Sequence, residues 1–153
     1  DALPISVDSV KALNYFNKFR ISEENKMKAV MQNGKSIRYF EAPSKELQLA
    51  AVRKDGNNIM HIRYPNKDIY IAAVTQNPYA LKNIIDPSVE VQLTAVQKNG
   101  SAILFIKKPS REVQLAAIAQ NPYAFYEITE PCQSAIDAFK ASGLAEVLEY
   151  KEE

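Results

Sequence analysis

Between residues 21 and 130, apolar and polar positions return every 22 residues. Cut from Ile21, the chain reads ISEENKMKAVMQNGKSIRYFEA, PSKELQLAAVRKDGNNIMHIRY, PNKDIYIAAVTQNPYALKNIID, PSVEVQLTAVQKNGSAILFIKK and PSREVQLAAIAQNPYAFYEITE. Position nine is always Ala (Ala29, Ala51, Ala73, Ala95, Ala117), and position ten is Val30, Val52, Val74, Val96 or Ile118. At about 100° per residue, positions five and nine of a helix lie on one side, and seven and ten on nearly the opposite side. A helix apolar on two faces must be covered twice, which stacked neighbours would do. In the second segment, positions seventeen and twenty (Ile37/Phe40, Ile59/Ile62, Leu81/Ile84, Ile103/Ile106, Phe125/Ile128) form one inward stripe. A small residue at position sixteen (Ser36, Asn58, Ala80, Ala102, Ala124) permits close approach.

Residues that break regular structure fall at two joints per repeat. Of the 8 prolines, all but Pro4 occupy position one or fourteen; Gly34, Gly56 and Gly100 also take position fourteen. The Pro- and Gly-free segments between joints predict two helices per repeat, a hairpin repeated head to tail. Position thirteen is Asn33, Asp55, Asn77, Asn99 or Asn121. Before Gly, this joint is expected to use a left-handed backbone that glycine tolerates. Before Pro78 or Pro122, the Asn leaves the helical region and caps the second helix. At the other joint Ser44, Ser88 and Ser110 follow proline as N-caps, with Glu46, Glu90 and Glu112 in the first turn, where the helix dipole favours them.

The expected architecture is all-α: an α-solenoid of about five to six stacked two-helix repeats with an N-terminal capping helix, forming one domain over residues 1–153. Residues 1–20 form the cap, with Val10, Leu13, Phe16 and Phe19 turned toward the first repeat. The repeats span 21–42, 43–64, 65–86, 87–108 and 109–130, and 131–153 is a degenerate repeat whose acidic end, EVLEYKEE, closes the stack.

The strings PSVEVQLTAVQKNGSAI and PSREVQLAAIAQNPYAF resemble a short helical-repeat family of unknown function, found in bacterial, phage and secreted-effector proteins. Its recurring string is approximately P-S-x-E-V-Q-L-A-A-V-x-Q-N-G/P-x-A-L/I. The resemblance covers residues 43–130 closely, 21–42 loosely and 131–153 poorly. It implies the fold and a setting, a phage or bacterial protein acting on a host or rival system. It carries no catalytic motif.

Composition narrows the class further. Apolar residues make up 46% and charged residues 24%, ordinary for a globular domain. No apolar run reaches membrane-spanning length, and no signal peptide is visible, although the sequence opens without Met. A single cysteine, Cys132, cannot form an internal disulfide and suits a reducing compartment. The expected location is therefore cytoplasmic, in the producing cell or in a targeted host cell. Net charge is only +1, but residues 1–64 carry +4 and residues 131–153 carry −3. With one histidine and one cysteine no zinc set is expected. Cys132 has no evident base beside it, and no glycine-rich phosphate loop exists. No catalytic residue, metal or cofactor is expected.

The informative positions are those the fold leaves free. Positions fifteen, eighteen, nineteen and twenty-two of the second helix point away from the inward stripe. They supply the candidate binding residues Arg38, Tyr39, Met60, His61, Tyr64, Tyr79, Lys82, Leu104, Phe105, Tyr123 and Tyr126. Aromatic, Met and Arg side chains are enriched at protein interfaces, so the expected partner is a protein, with no membrane partner. The plain alternative is that some of these rings pack between neighbouring second helices. A second functional reading is nucleic-acid binding, with tyrosines stacking on bases and Lys26, Lys28, Lys35, Arg38, Arg53 and Lys54 holding phosphates. A near-neutral chain ranks it behind the first. Sequestration of a small nucleotide is a third.

Overall fold

A computed structural model of the chain describes residues 21–144. The expected capping helix at 1–20 and the acidic closing segment lie outside the described residues. Each repeat pairs a ten-residue α-helix with a six-residue 3-10 helix. In order these are α1 (Glu23–Gln32) and η1 (Gly34–Tyr39), α2 (Lys45–Lys54) and η2 (Gly56–His61), and α3 (Lys67–Gln76) and η3 (Pro78–Asn83). Next come α4 (Val89–Lys98) and η4 (Gly100–Phe105), α5 (Arg111–Gln120) and η5 (Pro122–Glu127), and α6 (Gln133–Ala141) opens the sixth repeat. There is no strand among the described residues. The described residues form two compact units, dividing at the Asn77–Pro78 joint. In the first, α1, α2 and α3 pack in sequence, as do η1 and η2; in the second, α4, α5 and α6 do so beside η3, η4 and η5. The packing within each is that of a solenoid, repeat upon repeat.

Local chemistry explains the helix starts. The side chains of Ser22, Ser44, Asn66, Ser88 and Ser110 each accept from the backbone N–H three residues on. Such a cap is worth about 1 kcal/mol. Cys132 stands at the same place before α6 and makes no side-chain cap bond. Gln48, Gln92 and Gln114 reach back to the carbonyls of Pro43, Pro87 and Pro109, tying each helix to its entry joint.

Positions nine and ten are buried throughout, and position five is buried in all but the first repeat, where it is Asn25. Position seven (Met27, Leu49, Ile71, Leu93, Leu115) is only half-buried. Of the predicted opposite face, position ten is therefore covered and position seven only partly so.

The second segment is a 3-10 helix rather than an α-helix. Positions fourteen, seventeen and twenty would drift by about 60° at each three-residue step of an α-helix; in a 3-10 helix they eclipse. Gly56, Ile59 and Ile62 are all buried, as are Gly100, Ile103 and Ile106. Asn33, Asp55, Asn99 and Asn121 fix the first turn, each side chain accepting from the N–H two residues ahead. The proposed capping by Asn before Pro is thus seen at Asn121–Pro122, and the Asn-Gly joints use the same device.

The glycine joints correct the sequence expectation. Position thirteen is extended, with φ −142° at Asn33 and −156° at Asp55. Among the described residues only Gly143 (φ 75°) and Asp86 (φ 48°) have positive φ. Glycine is needed at position fourteen for close approach. A Cβ on Gly56 or Gly100 would collide with the Ala73 or Ala117 carbonyl of the next repeat, and one on Gly34 with the Asn58 amide. Across the first two of these joints the glycine N–H donates to a glutamine of the next repeat, Gly56 to Gln76 and Gly100 to Gln120. The proline joint needs no such acceptor, since Pro has no N–H. After Pro78 the matching position is Lys98, not Gln.

Candidate functional site: two exposed faces on the 3-10 helices

In the first unit, η1 and η2 bring Arg38, Met60 and His61 around one depression of about 380 Å³, completed by Lys35, Asp55, Asn57 and Asn58. The Arg38 guanidinium lies 4.9 Å from the Tyr39 ring centroid and donates to the Tyr39 hydroxyl at 2.8 Å. Asn58 is buried and donates inward to the Ala51 carbonyl, while the Asp55 carboxylate accepts from the Asn57 N–H. Partial burial, followed by the charges of Arg38 and Lys35, holds the His61 imidazole below its ordinary value. Lys35 and Arg38 are the cations of the face. Met60 is 61% exposed. Tyr64 is 90% exposed and stands outside the depression.

In the second unit the predicted residues meet one another. Tyr79 and Phe105 are edge to face, with centroids 5.9 Å apart, and the Tyr79 hydroxyl accepts from the Asn99 side chain. Tyr126 packs edge to face against Phe139 of α6, on which Phe125 also stacks. Part of the aromatic row therefore joins successive repeats, as the plain alternative held. Leu104 and Tyr123 remain well exposed. Lys82 and Phe105 belong to a second depression, a cleft of about 590 Å³ with Leu81, Ile84, Ile85, Asp86, Pro87, Gln92, Ile106, Lys107 and Lys108 around it.

That cleft contains residues the outward positions missed. Ile85 is 89% exposed at position twenty-one, where the other repeats have Glu41, Arg63, Lys107 and Thr129. An isolated apolar residue in an otherwise polar column was the available signal. Asp86 beside it adopts the left-handed backbone that Asp tolerates better than most residues.

Among the described residues no group of three His, Cys, Asp or Glu side chains could hold a metal ion, and no helix is long and apolar enough to cross a membrane. Cys132 is a half-buried free thiol whose N–H donates to Gln114. No family model, curated protein or solved structure matches the chain. The chain is an all-α protein built on a regular repeat of about 22 residues, an α-helix and a 3-10 helix to each.

Proposed function

We propose that the chain is a non-catalytic binding module, an adaptor or inhibitor that grips a protein partner through the outward residues of its 3-10 helices. The carrying observation is that Met60, Leu104 and Tyr123, each on a 3-10 helix, are more than half exposed at positions where the repeated frame makes no demand on the side chain. Large apolar residues held out on rigid elements, ringed by polar ones, are what interface anchors look like. The resemblance of the repeat string to phage, bacterial and secreted-effector proteins supports a role against a host or rival system, inside a cell.

Charged replacements test this better than removal of Tyr79 and Phe105, which also hold repeats together. Met60→Asp, Leu104→Asp and Tyr123→Asp, singly and combined, should leave the helical circular dichroism spectrum unchanged. They should also deplete one dominant protein from an affinity capture read by mass spectrometry. Equal capture by the folded triple variant places recognition elsewhere.

A second reading, nucleic-acid binding by the first unit, draws on Arg38 and Tyr39 beside Lys35. It requires affinity for an oligonucleotide that falls steeply with salt. An aromatic protein interface would be far less sensitive.

A further inference from the structure

We propose that the depression between η1 and η2 is an oxyanion subsite that takes the carboxylates of an acidic segment of the protein partner. The inference rests on the partner-binding reading and adds the chemistry recognised.

Four observations carry it. First, neither Lys35 nor Arg38 has an ion-pair partner among the described residues. The pairs Lys26–Glu23, Lys28–Glu24 and Lys45–Asp68 engage other lysines. Second, Arg38 is oriented beforehand. Its contact with Tyr39 uses one donor direction, leaving the rest of a five-donor fork whose geometry matches a carboxylate. Third, Asp55 lines the same depression, and its single negative charge set against Lys35 and Arg38 leaves a net positive one. Fourth, Met60 is exposed on the same rim. It offers an apolar contact next to the charges, as an acidic sequence with interspersed apolar residues would require.

A peptide fits this site better than a polynucleotide. Two cations lining a depression of about 380 Å³, on a chain of net charge +1, do not make the long basic track that phosphodiester binding uses. Carboxylates spaced along an extended peptide need only a few such contacts, with the apolar groups adding the remainder.

The test uses His61 as a reporter, since it is the only histidine of the chain and borders the subsite. An anion seated beside the imidazole favours its protonated form and raises its titration midpoint. The full chain is titrated by NMR alone, with a synthetic Glu- and Leu-containing peptide, with acetate, and with an oligothymidylate of similar charge. The expected result is an upward shift of about half a unit or more with saturating peptide. In a Lys35→Ala/Arg38→Ala double variant, shown to be folded by circular dichroism, peptide affinity should fall about tenfold or more, since charge-assisted hydrogen bonds are lost. Lys107→Ala, in the other unit, should change neither quantity.

An unmoved His61, an equal affinity in the double variant, or tighter binding of the oligothymidylate would each overturn the proposal. A response to acetate without one to the peptide would do so as well. The partner-binding reading fails separately. A silent His61 with capture still dependent on Met60, Leu104 and Tyr123 removes only the subsite. A responsive His61 with capture indifferent to those residues removes only the face.

Discussion

The two compact units use the same joint and dress it differently. Gly56 and Gln76 in the first repeat the bond that Gly100 and Gln120 make in the second, 44 residues later in sequence. Around this shared frame, the first unit displays Lys35 and Arg38, without ion-pair partners among the described residues, beside Met60. The second turns Tyr79 onto Phe105 and Tyr126 onto Phe139. What is held constant is the joint itself, a glycine against an alanine carbonyl with its N–H donating to a glutamine side chain of the next repeat. What varies is a set of outward positions whose identity the frame does not dictate. An aromatic at one of these positions is accordingly ambiguous, since it can bridge to the next repeat or wait for a partner. Exposure and ring contacts separate the two cases, whereas residue type does not.

The largest expected effect attacks the shared joint. Gly56→Ala and Gly100→Ala should each cost about 2–3 kcal/mol, because the new methyl meets a carbonyl of the next repeat that its own helix holds in place. Gly143→Ala should cost only about 1 kcal/mol, since its Cβ meets nothing within 4 Å and the penalty is its φ of 75° alone. Urea denaturation of the three variants checks the order. A Gly143 variant as damaging as the other two would mean that conformation, not close approach, selects glycine.

Next comes overpacking at the invariant alanine. Ala73→Leu and Ala117→Leu place three more heavy atoms where the native residue is 0% exposed, and each should lose about 1–3 kcal/mol. Unequal losses would show that the two units do not pack alike.

A smaller effect separates bridging rings from presenting ones. Tyr79→Ala removes an edge-to-face pair and a hydrogen bond and should cost roughly 1–2 kcal/mol. Tyr123→Ala, at a residue 60% exposed, should stay within about 0.5 kcal/mol. Thermal melts distinguish them.

The smallest effect is the pH response of the first unit. Burial and two neighbouring cations depress the folded-state value of His61 below its ordinary 6.5. As pH falls below that figure the unfolded chain takes up the proton first. Stability present above it is therefore lost progressively until the folded-state value is passed. His61→Gln should flatten the decline in melting temperature on the acid side of neutrality; an unchanged decline would assign it to the carboxylates.

Much of this frame is legible in the sequence. Confinement of Pro and Gly to two joints marks the helix boundaries, and Ser44, Ser88 and Ser110 mark the caps. The 3-10 character of the second segment was harder to see, because an i, i+3 apolar pair such as Ile59 and Ile62 suits either helix. Only the addition of buried Gly56 to that line decides it. The reason for glycine was not legible at all. It depends on the carbonyl of Ala73, 17 residues away, and no local rule reports a contact between repeats. Of the candidate face, Arg38, Met60 and His61 converge as spacing suggested. Ile85 and Lys107 escaped, because position twenty-one lies where the 3-10 helix has ended and helical spacing no longer tells direction.

Amide hydrogen exchange at Gly56 and Gly100 tests the shared frame most directly. Both amides should be protected in the native chain. Gln76→Ala should speed exchange at Gly56 by about fivefold to tenfold, the loss of one hydrogen bond worth roughly 1 kcal/mol, while leaving Gly100 unchanged; Gln120→Ala should do the converse. Two glycine amides that exchange at unprotected rates, or that ignore the glutamine of the following repeat, would contradict it.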